Sequence, residues 1–156
     1  MSPQTVLEPR PLRDLLLKIA LFACAALLLA LGALVLLGHP EERLSSSKYI
    51  STLTADRYQP EVLNHKGPVV VDFGAAWCGA CTALSPILDD IAKEYAGRVK
   101  FVEMDVDYNR ETAVELKIDE LPCLILFKDG KEIARRTGLD SAKILKDWID
   151  SSMKTQ

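Results

Sequence analysis

The 156-residue chain has no cluster of lysine and arginine, only two histidines, only four cysteines, and no internal repeat or low-complexity tract. Without clustered cations there is no surface suited to neutralising phosphates, so nucleic acid is not an expected partner. Histidine and cysteine are too sparse for a four-ligand zinc site. Beside the close pair Cys78 and Cys81, only Cys123, His39 and His65 lie beyond residue 38, and none forms a second close pair. Neither a metal nor a cofactor is expected. With no repeat and a length near that of one domain, the expected organisation is one core plus an appendage.

Charge is unevenly spread. Residues 1–38 carry Arg10, Arg13 and Lys18 against Glu8 and Asp14, whereas residues 39–156 carry 16 basic and 20 acidic side chains. From Ile19 to Leu37 there are 19 consecutive uncharged residues, rich in Leu and Ala. At about 1.5 Å per helical residue this run nearly crosses a hydrocarbon core of about 30 Å, and Leu15, Leu16 and Leu17 extend it past a snorkelling Lys18. The cations precede the run and His39, Pro40, Glu41 and Glu42 follow it, which orients the amino terminus toward the cytoplasm. A buried core helix is a poor alternative, because the stripe is apolar on every face and has no comparable partner. A cleaved signal peptide would end at Ala30-Leu31-Gly32, yet the residues beyond remain apolar. A lipoprotein signal would use Leu21-Phe22-Ala23-Cys24, but no polar tether follows Cys24. The expected layout is a cytoplasmic tail (1–14), a transmembrane signal-anchor helix (15–38) in the inner, cytoplasmic membrane, a solvated tether (39–48) and a periplasmic or otherwise extracytoplasmic domain (49–156).

Within that domain, Pro68-Val69-Val70-Val71-Asp72-Phe73 reads as a buried strand bounded by Gly67 and Gly74. Leu84, Ile87, Leu88, Ile91 and Tyr95 follow at helical spacing, and the helix stops near Gly97. A strand is expected over 99–106, a short helix over 111–116, and a strand over 124–127 that enters the hairpin signal Asp129-Gly130. A strand over 132–137 and a final helix capped by Asp140 or Ser141 complete the pattern, with an extra strand and helix expected between Tyr49 and His65. An alternation ending in a hairpin implies an α/β fold, a mixed sheet with helices on both faces.

Trp77-Cys78-Gly79-Ala80-Cys81 lies where the buried strand gives way to the helix. A helix amino terminus presents free N–H groups and positive potential, which favours a thiolate on Cys78 and makes it the attacking nucleophile. Two intervening residues in a first helical turn bring Cys81 close enough to resolve the mixed disulfide. A purely structural disulfide is a weak alternative, since so short a loop closes little chain entropy. Trp77, on a loop beside the nucleophile, is expected at the substrate surface.

Val-Asp-Phe at 71–73, the Trp-Cys-Gly-x-Cys motif, Pro86, Leu121-Pro122 before a strand and Phe127-Lys128-Asp129-Gly130 together resemble the thioredoxin family over about residues 49–153. The resemblance implies a thioredoxin fold, a cis bond before Pro122 facing the dithiol, and a substrate-binding role for Pro122. Gly79, Ala80 and Cys123 join Trp77 and Pro122 in the expected substrate-binding surface. Cys123 is expected near Cys78, as a third redox thiol or a modification point, or simply as a small residue opening a strand. The resemblance also assigns Asp72 to proton transfer with Cys81, and a carboxyl behind a hydrophobic strand should indeed have a raised pKa. Three positions depart from the family: Ala80 replaces the usual proline, Gly74 an aromatic, and Glu103 a lysine common in bacterial members. The family's reduction potential therefore does not carry over.

The expected activity is reduction of disulfides in exported proteins through Cys78 and Cys81. An oxidase or isomerase, and a non-redox assembly or chaperone module, are the alternatives. By family analogy a membrane thiol-disulfide transporter is the expected electron donor and apocytochrome c a plausible client, which would link the chain to cytochrome c biogenesis.

Overall fold

The computed structural model describes residues 15–24 and 47–154 of the chain. Residues 15–24 form a helix, α1, in which every residue is exposed. The expected transmembrane segment continues to residue 38, and its portion from residue 25 onward lies outside the described residues. Among the described residues, no helix is long and apolar enough to cross a membrane. The segment holding α1 and the rest of the chain are separate compact units.

The second unit begins with β1 (Ile50–Thr52), α2 (Ala55–Tyr58) and a wide helical turn (Gln59–Leu63) with Pro60 near its start. Then come β2 (Pro68–Gly74), α3 (Gly79–Glu94), β3 (Lys100–Asp105), α4 (Arg110–Glu115), β4 (Cys123–Lys128), β5 (Lys131–Thr137) and α5 (Ala142–Lys154). The five strands form one sheet in the order β1-β3-β2-β4-β5. β3 runs parallel to both β1 and β2, whereas β4 runs antiparallel to both β2 and β5. The mixed sheet expected from the element order is therefore present.

Period-two alternation sorts the central strands into two cores. Val70, Leu124 and Leu126 face one way, against Leu84, Leu88 and Ile91 of α3 and Leu145 and Ile149 of α5. Val69, Val71, Phe73, Ile125 and Phe127 face the other way, against Tyr58 and Val62. Each fully buried Leu or Ile contributes about 1.5–3 kcal/mol. α3 thus has one apolar side fixed on the sheet, and its first turn is held at the carboxyl end of β2.

The β4–β5 hairpin turns on Asp129 and Gly130, both with positive φ (52° and 79°), the conformation of a tight primed turn. A Cβ on Gly130 would lie 2.0 Å from the Leu63 carbonyl oxygen, so glycine is required there for space as well as for conformation. α5 starts after Ser141, whose carbonyl accepts the N–H of Leu145 (3.1 Å). Asp140, the other expected cap, instead pairs with Arg136.

Candidate active site

β2 ends at Gly74, and the chain crosses Ala75-Ala76-Trp77 before entering α3. Cys78 is the N-cap of α3: its backbone is extended, and its Sγ accepts the N–H of Cys81 at 3.0 Å. Backbone bonds fix this junction on both sides, from Cys78 N–H to the Ala75 carbonyl (3.0 Å) and from Thr82 N–H to the Cys78 carbonyl (3.1 Å). Cys78 and Cys81 are joined as a disulfide. On reduction, the same N–H and the helix terminus act on the Cys78 sulfur and stabilise its thiolate.

The two sulfurs are buried, with Trp77 and Gly79 exposed beside them. Trp77 is 70% exposed yet not free to swing, because its indole N–H donates to the Asp107 carboxylate at 2.8 Å. An apolar side chain so exposed and so fixed offers a ready contact surface. Asp107 was not singled out from the sequence; it follows β3, about thirty residues from Trp77, and no local pattern links the two.

The Leu121–Pro122 bond is cis. Leu121 packs on the cluster formed by Ala75, Cys78 and Cys81, together with Ala80 and Val106, so the cis bond lies beside the sulfur pair. Pro122 itself is buried, and its carbonyl accepts the N–H of Gly138 at 2.9 Å. Trp77, Cys78, Gly79, Ala80, Cys81 and the Leu121–Pro122 bond are therefore brought together.

Cys123 opens β4 as a small buried residue, the last of the roles expected for it, and does not join the sulfur pair. It is 1% exposed and packs with Val71, Phe73, Ile125 and their neighbours on the sheet face opposite α3, not in the cluster around Cys78. Burial pushes its thiol up to about 11, which keeps it protonated and unreactive at neutral pH.

Asp72 lies on the α3 side of β2, two residues before Gly74. A Cβ built on Gly74 would point at the Cys81 Sγ, 3.4 Å away, so this face of β2 looks directly at the resolving sulfur. One pleat, about 6.6 Å, separates Asp72 from Gly74 along the strand. The residue as a whole keeps some surface, but Oδ1 is sealed from solvent and accepts no hydrogen bond from the described residues. Burial first, and then the neighbouring Glu103 carboxylate, raise the Asp72 pKa from 3.8 to about 7. A carboxyl poised at neutrality behind the second sulfur can exchange a proton with it, directly or through a bridging water.

Comparison with known proteins places the domain that carries this arrangement in a family. The thioredoxin family model matches residues 49–151. The chain belongs to the thioredoxin family. It is 39% identical to thioredoxin C-2 of Corynebacterium nephridii over 107 residues, covering 69% of this chain and 99% of that protein. It is 43% identical to a thioredoxin of Rickettsia conorii over 96 residues, covering 62% of this chain and 91% of that one. A thioredoxin of Pseudomonas aeruginosa is 35% identical over 107 residues, covering 69% and 99%. This thioredoxin-family chain is a protein thiol-disulfide oxidoreductase, and Cys78 and Cys81 form its redox pair.

Proposed function

We propose that the protein is a membrane-tethered reductase that opens disulfides in exported proteins outside the cytoplasm. The observation that carries the chemistry is the Cys78 sulfur at the α3 N-cap, accepting the Cys81 N–H and already within bonding reach of Cys81. In the reduced protein the Cys78 thiolate attacks one sulfur of a substrate disulfide and expels the other as a thiolate. Cys81 then loses its proton to Asp72 and attacks the Cys78 sulfur, releasing the second substrate thiolate and leaving the Cys78–Cys81 disulfide. The substrate gains two electrons and the dithiol loses two.

Trp77 and the Leu121–Pro122 bond flank the sulfurs and position an extended substrate segment. Pro122 has no N–H and its carbonyl is engaged by Gly138, so the main-chain partner for that segment is Leu121. Tethering is supported by the cations ahead of the apolar run, by the length of that run, and by Leu15, Leu16, Leu17, Ile19, Leu21 and Phe22 of α1, all exposed. A dithiol outside the cytoplasm must be re-reduced from within, and a membrane thiol-disulfide transporter fits that need. Apocytochrome c, whose cysteines must be reduced before haem attachment, is a fitting client.

The test is acid-trapped alkylation in intact cells, with mass mapping of Cys78 and Cys81 and protease accessibility of the domain in spheroplasts. A reduced pair on a domain exposed outside the cytoplasmic membrane is expected. A pair held oxidised in growing cells overturns the reductase reading, and a domain protected from protease overturns the placement.

A further inference from the structure

Asp72 and Glu103 are register partners on the adjacent parallel strands β2 and β3, so their side chains leave the same face of the sheet side by side. Thr52 of β1 is the next partner in the row, and its hydroxyl donates to Glu103 Oε1 at 3.4 Å. The row thus runs from a hydroxyl near the sheet edge, through one carboxyl, to a second carboxyl whose Oδ1 is sealed and unpartnered. Leu124 of β4 is the register partner of Asp72 on its other side, Cys81 of α3 lies over Gly74 one pleat along β2, and Cys123 packs behind the sheet. No cation of the described residues is among the groups that shift it. Two carboxylates adjacent in a region of low dielectric cannot both stay ionised without a large Coulombic cost, so one proton between them is the favoured state near neutral pH.

We propose that Glu103 is a positioning residue for the resolving step: the Asp72 and Glu103 carboxyls hold one proton between them up to neutral pH, and once that proton is lost the ionised pair takes up the Cys81 proton. The inference rests on Asp72 acting as the proton acceptor. Its content is that the base is a pair and that Glu103 sets where it titrates. When Cys81 attacks, its proton passes to Asp72. That leaves the pair singly protonated, and Glu103 and the Thr52 side of the row then return the proton to solvent and restore the ionised pair. No electron moves in this exchange beyond the two that pass from the dithiol to the substrate.

The test is rapid mixing of the reduced full chain with a symmetrical nitroaryl disulfide, whose thiolate is coloured. Attack by Cys78 releases one equivalent, and resolution by Cys81 releases the second, so the two steps appear as separate phases. In the parent the second phase should rise with pH through a midpoint near neutrality. In Glu103→Gln that midpoint should move down by about one pH unit, because a neighbouring negative charge is lost. Glu103→Asp, which keeps the charge, should leave it near the parental position. An unmoved midpoint in folded Glu103→Gln overturns the inference.

Asp72→Asn separates the two levels of the argument. If it leaves the second phase with its parental pH profile, the reading of Asp72 as base fails. If it flattens the profile while Glu103→Gln moves nothing, only the pairing fails. Should Glu103→Gln not fold, carboxyl-carbon NMR of the parent decides: Asp72 and Glu103 must both report the same two titration steps. Independent single-step titrations overturn the pair.

Discussion

Asp72 carries a cost in stability for its burial. Its folded pKa, about 7, stands above the ordinary carboxyl value of 3.8, so the folded chain binds this proton more tightly than the unfolded chain does. Stability from this group is therefore complete below about pH 4, declines as pH rises, and levels off above the folded pKa near neutrality. The upward shift corresponds to a penalty on the order of 4 kcal/mol for carrying the ionised form in the fold at alkaline pH. Asp72→Asn removes the ionisation but leaves a buried amide incompletely bonded, which returns about 1–3 kcal/mol of that relief. Chemical denaturation at pH 8 should find Asp72→Asn more stable than the parent by about 1–3 kcal/mol, with the difference vanishing or reversing by pH 4. If Asp72 is the proton acceptor proposed above, the same substitution should slow the resolving step, so stability and turnover would pull apart at one residue.

The β4–β5 hairpin and the wide turn after α2 meet at Gly130. Gly130→Ala would force a Cβ onto the Leu63 carbonyl and place a side chain at a φ of 79°. Loss of about 2 kcal/mol or more is expected, read as a lower urea midpoint with an unchanged slope. Redox activity of the variant that remains folded should be untouched, since the hairpin turn lies at the other end of β4 from the cis-proline.

The same elements show why some features are readable in sequence and others are not. Asp129-Gly130 announces its turn because both positions need left-handed backbone, and α3 announces itself through apolar residues at helical spacing. The redox pair is equally plain, since its chemistry depends on neighbours in the chain. Cys123 is different. β4 is buried on both faces from Cys123 to Phe127, so its sequence, Cys-Leu-Ile-Leu-Phe, carries no alternation to say which way the thiol points. The Trp77–Asp107 bond and the Thr52–Glu103–Asp72 row depend on strand register across the sheet, which local patterns do not encode.

At the scale of the whole molecule, both cores, the sulfur pair, the cis-proline and the buried carboxyls lie between residues 47 and 154. A chain beginning at residue 47 should therefore fold without the preceding segment. It should reduce a soluble disulfide such as insulin at close to the full-length rate, as followed by insulin precipitation. A several-fold loss would mean that the amino-terminal segment contributes to the site itself.

The sheet has a further consequence at its border. β5 is the outer strand beyond β4 and presents Lys131, Glu132, Arg135 and Arg136 along its short length. Unsatisfied amides on such a border invite a second chain to add as another strand, and charged side chains raise the cost of that approach. At this border, copies crowded on a surface or concentrated in solution meet charge before they can pair strand to strand. Added salt shortens the reach of those charges, so this colloidal protection is greatest in dilute electrolyte and weakens in brine.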